Sequence, residues 1–273
     1  MSVCVALVLL LSACSVSKLA YQRLDWLANW KLEQFVVLNT AQERSFERAF
    51  QQVWHWHRTQ ELPLLQADLR ALAEDVHKPS SVQMLGDWRG RADVYANRIV
   101  ARALPASCQL VASFNDEQRA SILRRLDQNL TDDAKKYLSP PLIERQERAA
   151  KRARRTMERW IGDLSAAQLQ EVRTWSQTRV QRYEEWMAER RQWRERVAQV
   201  LETRESPQLC EAMRGLFPQF DTQAMIDPAH QANARAWTEF LSRFSATLSD
   251  TQRRHLRQRL LDTADDLGEL SEG

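Results

Sequence analysis

The segment Leu38-Asn39-Thr40-Ala41-Gln42 has the sequence pattern of a helix start. The same pattern recurs three more times along the chain, which indicates a fold built from helices. In each copy an apolar residue precedes Asn or Ser, and Gln follows three residues later. The Asn or Ser side chain can accept from the backbone amide three residues on, while Gln reaches back to the first amide, which is a capping box. The predicted capping residues are Asn39 and Gln42, Asn115 and Gln118, Ser165 and Gln168, and Ser249 and Gln252.

The composition supports an almost wholly helical protein. Its 273 residues include only 6 Gly and 8 Pro, while Arg, Gln, Glu, Leu and Ala are abundant. Few turn formers and many helix formers favour an all-α fold. Clusters of Pro, Ser and Asp separate the predicted helices, which cover roughly residues 17–36, 40–77, 81–103, 115–137, 141–161, 165–203, 207–215, 229–246 and 249–270.

Two of these helices are long enough to determine the architecture. In segment 40–77 the apolar stripe slips by one residue between His57 and Leu62, next to Pro63, where a kink is predicted. Segment 165–203 would span about 58 Å at 1.5 Å per residue. Such helices need neighbours along their whole length, so the sequence predicts an elongated antiparallel helical bundle with two long helices.

The start of the chain resembles the lipobox of a bacterial lipoprotein signal peptide. An apolar run from Val3 to Leu11 ends in Ser-Ala-Cys14, and Ser15 follows. The run is too short for a transmembrane helix, which needs about 20 apolar residues, but it fits a signal peptide. No Lys or Arg precedes Val3, so we expect a start further upstream, and an ordinary secretory signal is the alternative.

This resemblance implies the domain organisation and the location. Residues 1–13 would be removed and Cys14 would carry the lipid that attaches the protein to a membrane. Segment 14–37 would then be the anchor and first helix, followed by a bundle over 38–273. The order of the capping motifs allows two related halves of that bundle, 38–140 and 141–273. Ser after the lipidated cysteine resembles lipoproteins of the outer membrane, so we expect the protein on its periplasmic face.

Location also limits the roles of the four cysteines. Cys4 would leave with the signal and Cys14 would take the lipid, so Cys108 and Cys210 remain. The oxidising periplasm permits a disulfide between these two, and two separate buried thiols are the alternative. The bridge would close a loop of 102 residues, for which chain entropy gives roughly 4–5 kcal/mol.

Two families resemble parts of the chain. The capping motif is similar to the LTxxQ signature of Spy-type periplasmic chaperones, all-helical proteins that hold unfolded clients without ATP. The whole chain is more similar to an uncharacterised family of proteobacterial lipoproteins, and this resemblance implies no known activity. The elements shared with that family are Trp26 and Trp30, Trp56-His57-Arg58 with Leu62-Pro63, and Trp160-Ile161-Gly162 leading into Leu164.

Ten tryptophans are many for this length, and most have helical spacing. Trp26 and Trp30 lie one turn apart, close to the expected anchor. We expect this pair to dock the first helix on the bundle, with contact to the membrane interface as the alternative. For a further set core packing is the favoured expectation, and an apolar binding surface is the alternative: Trp54, Trp56, Trp175, Trp186 and Trp193.

Residues 144–159, ERQERAAKRARRTMER, hold seven basic and three acidic side chains. On a helix we expect the basic residues to spread around the circumference and to pair with glutamates. A solvated face is the default interpretation, and contact with an acidic partner or anionic lipid is the alternative. The formal net charge of only +3 and the periplasmic location argue against binding of nucleic acid.

The sequence carries no signal of catalysis, such as a glycine-rich phosphate loop, GxSxG, HExxH or CxxC. The spacing of His57 and Glu61 would suit two metal ligands. However, His57 continues an apolar stripe, so a hydrogen-bonded core histidine is expected. We therefore expect no catalytic residue, no metal and no cofactor.

The sequence thus favours a protein that works by binding. Chaperone-like holding of unfolded or envelope proteins is the leading hypothesis. A structural scaffold that docks one specific partner is the first alternative, and an unrecognised hydrolase of the cell envelope is the second. The oligomeric state stays open.

Overall fold

The computed structural model describes residues 21–217 and 228–272, and within these two ranges all regular structure is helical. The predicted signal segment 1–13 and the lipidation site Cys14 lie outside the described residues. The predicted all-α bundle is confirmed. Its helices are α1 (Leu24–Glu33), α2 (Thr40–Trp56), a π-helical turn (His57–Glu61), α3 (Leu62–Asp75), α4 (Val82–Ala112), α5 (Asp116–Tyr137), α6 (Leu142–Ile161), α7 (Ala166–Thr178), α8 (Tyr183–Glu202), α9 (Leu209–Arg214), α10 (Pro228–Ala246) and α11 (Asp250–Glu272).

The π-helical turn lies where the apolar stripe of the first long helix slips. The backbone N–H of Leu62 donates to the carbonyl of His57, five residues back. A π turn accommodates one residue more than an α turn, so it moves the apolar stripe back into register. Pro63 then falls in the first turn of α3, where its missing N–H is best tolerated.

The prediction of a second long helix over residues 165–203 is wrong. Helix α7 ends at Thr178, and Arg179 has an extended backbone with φ −64° and ψ 135°. Asn233 of α10 compensates the break: its amide donates to the carbonyl of Val180 and accepts from the N–H of Val180, both at 2.9 Å. These bonds replace the helical partners that Val180 would otherwise use.

The predicted end of the third helix near residue 103 is also wrong, because α4 continues to Ala112 with Pro105 inside it. Leu104 and Cys108 on either side of the proline are both buried. They pack against residues of α8 and α9, including Val200 and Met213. Burial of this face stabilises the helix beyond the proline, which sequence periodicity alone could not show.

The bundle contains several small hydrophobic cores instead of one large core. One lies among α6, α7 and α10 around Phe240, and a second joins the segment before α2 to α5 and α8 around Val36. Helices α3 and α11 pack along each other through Leu62, Leu267 and Leu260. Helices from both sides of residue 140 therefore pack together, and the two related halves stay a prediction. None of the described helices is both long and apolar enough to cross a bilayer.

Candidate functional site

Helix α1 presents the largest exposed aromatic surface that the structure describes. Trp26 is 59% exposed and Trp30 is 51% exposed, and their rings stack with centroids 6.2 Å apart at 13°. No residue of α1 is fully buried. The expectation that this pair docks the helix on the bundle is therefore wrong, because the stacked indoles face solvent.

Contacts at both ends hold α1 in place. Before it, the Tyr21 hydroxyl is hydrogen-bonded to His57 Nδ1 at 2.9 Å, and the ring also packs near Trp54. At its other end, Leu32 in the last turn and the fully buried Val36 just beyond the helix pack into the core with α5 and α8. The tryptophan pair thus sits on a helix whose two ends are fixed.

Burial keeps the Tyr21–His57 pair neutral. It lowers the pKa of His57 to about 4 and raises the pKa of Tyr21, against the smaller opposing effect of the Arg58 charge. At neutral pH, His57 Nδ1 can therefore accept from the tyrosine hydroxyl. This is the hydrogen-bonded histidine that the sequence predicted.

His57 and Glu61 have separate protein partners, Tyr21 for the first and Arg98 for the second. Glu61 is buried and accepts from Arg98 Nε at 3.1 Å and Nη2 at 2.8 Å, so its charge is neutralised within the bundle. Among the described residues no group of His, Cys, Asp and Glu is arranged to hold a metal ion.

A shallow cleft between α1 and α2 lies beside the exposed tryptophans. Its volume is about 220 Å³, below the 300–1,000 Å³ typical of small-molecule sites. Its size suits a side chain of a bound protein segment better than a whole ligand. It is lined by Asp25, Asn29, Phe46, Glu47, Phe50 and Gln51.

The four capping boxes meet in two pairs, which sequence reasoning missed. The amides of Gln42 and Gln118 bond reciprocally, with Nε2 to Oε1 distances of 3.1 and 2.7 Å. Gln168 and Gln252 form the same double bond, with both distances 2.9 Å. Each glutamine also keeps its capping bond to the backbone N–H three residues back.

Each glutamine donates its remaining side-chain N–H to a backbone carbonyl in the loop that precedes its partner's helix. Gln42 donates to the carbonyl of Ser113 at 2.9 Å, and Gln118 donates to that of Val37 at 2.7 Å. Gln252 donates to the carbonyl of Asp163 at 2.8 Å in the same way. Every donor and acceptor of these amides is used, so each pair fixes two helix starts and two loops together.

The five tryptophans for which a binding surface is the alternative expectation lie in separate environments. Trp54 packs near Tyr21, whereas Trp175 contacts Trp237 and Phe240 in the core of α6, α7 and α10. The structure does not bring the set together. The remaining three also differ: Trp56 lies beside Arg102, Trp186 packs on Tyr137, and Trp193 Nε1 donates to the carbonyl of Leu216.

The structure joins Cys108 of α4 and Cys210 of α9. Their Sγ atoms are 2.04 Å apart and their Cα atoms 5.4 Å apart, a separation that suits a disulfide. Cys108 is buried against Leu104 and Leu209. The bridge therefore ties the short helix α9 to the middle of the bundle.

These features define an all-helical protein whose described surface offers exposed helix faces and shallow clefts. Residues 34–223 match a family described as a family of unknown function (DUF6279), and the chain belongs to this family. No curated protein and no solved structure matches the chain. The matched segment includes both bridged cysteines and three of the four capping boxes. The lipoprotein assignment and the likeness to Spy-type chaperones stay predictions.

Proposed function

We propose that the protein is a lipid-anchored binding protein on the periplasmic face of the outer membrane that holds unfolded or envelope proteins. One observation carries this proposal: Trp26 and Trp30 are stacked and exposed on a helix that is fixed at both ends. Exposed apolar groups rimmed by polar residues mark interaction sites, and tryptophan is enriched among residues that dominate binding energy.

The surroundings of the pair favour loose contact with extended protein segments. The cleft beside it mixes two phenylalanines with carboxylates and amides, so it can accept an apolar side chain while its rim bonds to a backbone. Further exposed apolar side chains are scattered over other elements, among them Val37, Leu64, Val82 and Val94. Singly exposed apolar residues are common on protein surfaces and mark no site by themselves, so the stacked pair and its cleft stand apart as the contact surface.

Attachment through Cys14 would keep this surface near the membrane. Trp26 and Trp30 follow Cys14 by 12 and 16 residues. An extended chain reaches at most about 3.3–3.6 Å per residue, so the pair would stay within about 40–60 Å of the lipid. Clients that pass through the periplasm next to the outer membrane would therefore meet it.

The test is suppression of aggregation of unrelated denatured proteins at stoichiometric amounts. The intact protein should protect these clients, and Trp26→Ser with Trp30→Ser should remove most of the protection. Val82→Ser with Val94→Ser removes two other exposed apolar side chains and should leave protection unchanged.

Two results would overturn the proposal. Failure of the intact protein to protect any client excludes holding, and an equal loss in both double variants excludes the tryptophan pair as the site. Recovery of one dominant partner by crosslinking, without protection of denatured clients, would instead support the scaffold.

A further inference from the structure

Helix α6 carries a continuous stripe of arginines. At 100° per residue, five of its seven basic side chains fall within an arc of about 80°, and they extend over about 21 Å along the axis. The expectation that the basic residues spread around the circumference is therefore wrong for most of them. The stripe consists of Arg145, Arg148, Arg152, Arg155 and Arg159.

The acidic residues of α6 do not neutralise the middle of this stripe, Arg152 and Arg155. Glu147 and Glu158 project from a neighbouring arc, where Arg154 pairs with Glu158 at 2.6 Å. Arg148 pairs with Glu144 on its own helix. Arg152 and Arg155 are exposed, and neither forms an ion pair with a described residue. The opposite face, with Ala153 and Met157, is buried in the core, so the arginines face solvent.

Arg179, in the break between α7 and α8, extends the positive surface. Its guanidinium lies over Trp175 at 5.2 Å. Burial lowers the pKa of Arg179, and the nearby charge of Arg152 lowers it further, while Tyr183 has the opposite effect. Arg145 stacks on the same Tyr183 ring at 5.2 Å. Arg152 of α6 and Arg179 thus approach each other and form one positive surface.

Exposed aliphatic side chains lie at one end of this surface. Helices α6 and α7 form an antiparallel pair, as shown by the bond from Gln146 Nε2 to the carbonyl of Gln177. Leu142 and Ile143, at the start of α6, and Val180, just after α7, therefore lie at the same end of the pair. All three are about half exposed.

We propose that the arginine stripe of α6, with Arg179 and the exposed Leu142 and Val180, is a docking surface for a bilayer of anionic phospholipid. Guanidinium groups bind phosphate oxygens in pairs and are weakly hydrated. A row of basic side chains next to exposed apolar ones is the pattern of helices that lie in a membrane interface. The apolar end favours a bilayer over an acidic protein, which would need only the charges. The inference is independent of the proposed holding function.

The experiment measures flotation of the full chain with two kinds of vesicle: phosphatidylcholine alone, and phosphatidylcholine mixed with phosphatidylglycerol. A lipid anchor and the tryptophans of α1 would contribute to binding of both kinds of vesicle. The difference between the two partition coefficients therefore isolates the effect of lipid charge. At roughly fivefold per arginine near an anionic surface, Arg152→Gln with Arg155→Gln should lower binding to the mixed vesicles by about twenty-five-fold.

A matched control removes two other exposed arginines that are paired with carboxylates: Arg70 and Arg257. Changing these two to Gln removes the same net charge and should leave vesicle binding nearly unchanged. The proposal is overturned if the intact chain shows no preference for anionic vesicles, or if the control variant loses as much binding as the stripe variant. Equal or tighter binding to soluble polyglutamate overturns it too, and would assign the stripe to an acidic protein.

Discussion

The pair formed by Gln42 and Gln118 makes a quantitative prediction about stability. These side chains are 4% and 8% exposed, and each amide is saturated with hydrogen bonds to its partner, a cap and a loop. Changing Gln42 to Leu keeps similar volume but leaves one donor and one acceptor of Gln118 without partners. Each unsatisfied buried group costs about 1–3 kcal/mol, and the lost cap adds about 1 kcal/mol. We expect a total of about 3–7 kcal/mol.

The double variant separates pairing from capping. Replacing both partners by apolar groups removes the unsatisfied atoms along with the bonds. Gln42→Leu with Gln118→Leu should therefore cost about as much as either single change, so the coupling energy should equal the cost of one single change, about 3 kcal/mol or more. Gln52→Leu, an exposed glutamine of the same helix α2, should change stability by less than about 0.5 kcal/mol.

The assay is urea unfolding followed by far-ultraviolet circular dichroism, with the slope compared among variants. If each single change costs under about 1 kcal/mol, or if the two single changes add in the double variant, the paired boxes do not stabilise the fold as argued.

Three further predictions concern other parts of the bundle. Burial lowers the pKa of His57 to about 4, while the unfolded chain keeps about 6.5, so the unfolded state takes up the proton first as the pH falls. The free energy of unfolding should fall by about 3 kcal/mol between these pH values. When urea unfolding is measured across this pH range, the His57→Phe variant should show a smaller fall, and a fall as large as in the intact protein contradicts the assignment. Thiol titration of the purified chain should find Cys108 and Cys210 unreactive until the bridge is reduced, and two reactive thiols would exclude the bridge. Reduction should lower the free energy of unfolding by about 4–5 kcal/mol. Acrylamide should quench the fluorescence of Trp26 and Trp30 readily, so Trp26→Phe with Trp30→Phe should remove the most accessible emission; unaltered quenching would place the pair inside the bundle.

Local sequence signals predicted the helix starts well. A capping box needs only residues within one turn, so Asn39 with Gln42 and its three copies could be recognised without any tertiary information. The all-α fold followed from the same local signals and from the scarcity of glycine and proline. The slip near His57 was visible as well, although the sequence indicated a proline kink where the structure has a π turn.

Features that depend on distant residues could not be predicted from local patterns. Nothing around Arg179 signals a helix end, because the bonds that compensate the break come from Asn233. Continuation of α4 past Pro105 depends on packing against α8 and α9. Reciprocal bonding of Gln42 and Gln118 joins residues 76 positions apart. The exposure of Trp26 reversed the expectation from residue type, since apolar character predicts burial only on average.

The central claim is that the exposed tryptophan surface of α1 holds many different protein segments in the cell envelope. In-cell photocrosslinking tests it most directly, with a benzophenone side chain replacing Trp30, followed by mass spectrometry of the crosslinked proteins. The same side chain at Gln52, an exposed position of α2, serves as the control. Many unrelated envelope proteins should be crosslinked from position 30, in larger amounts under conditions that unfold proteins, and few should be crosslinked from position 52. One dominant partner, or the same crosslinks from both positions, would contradict it.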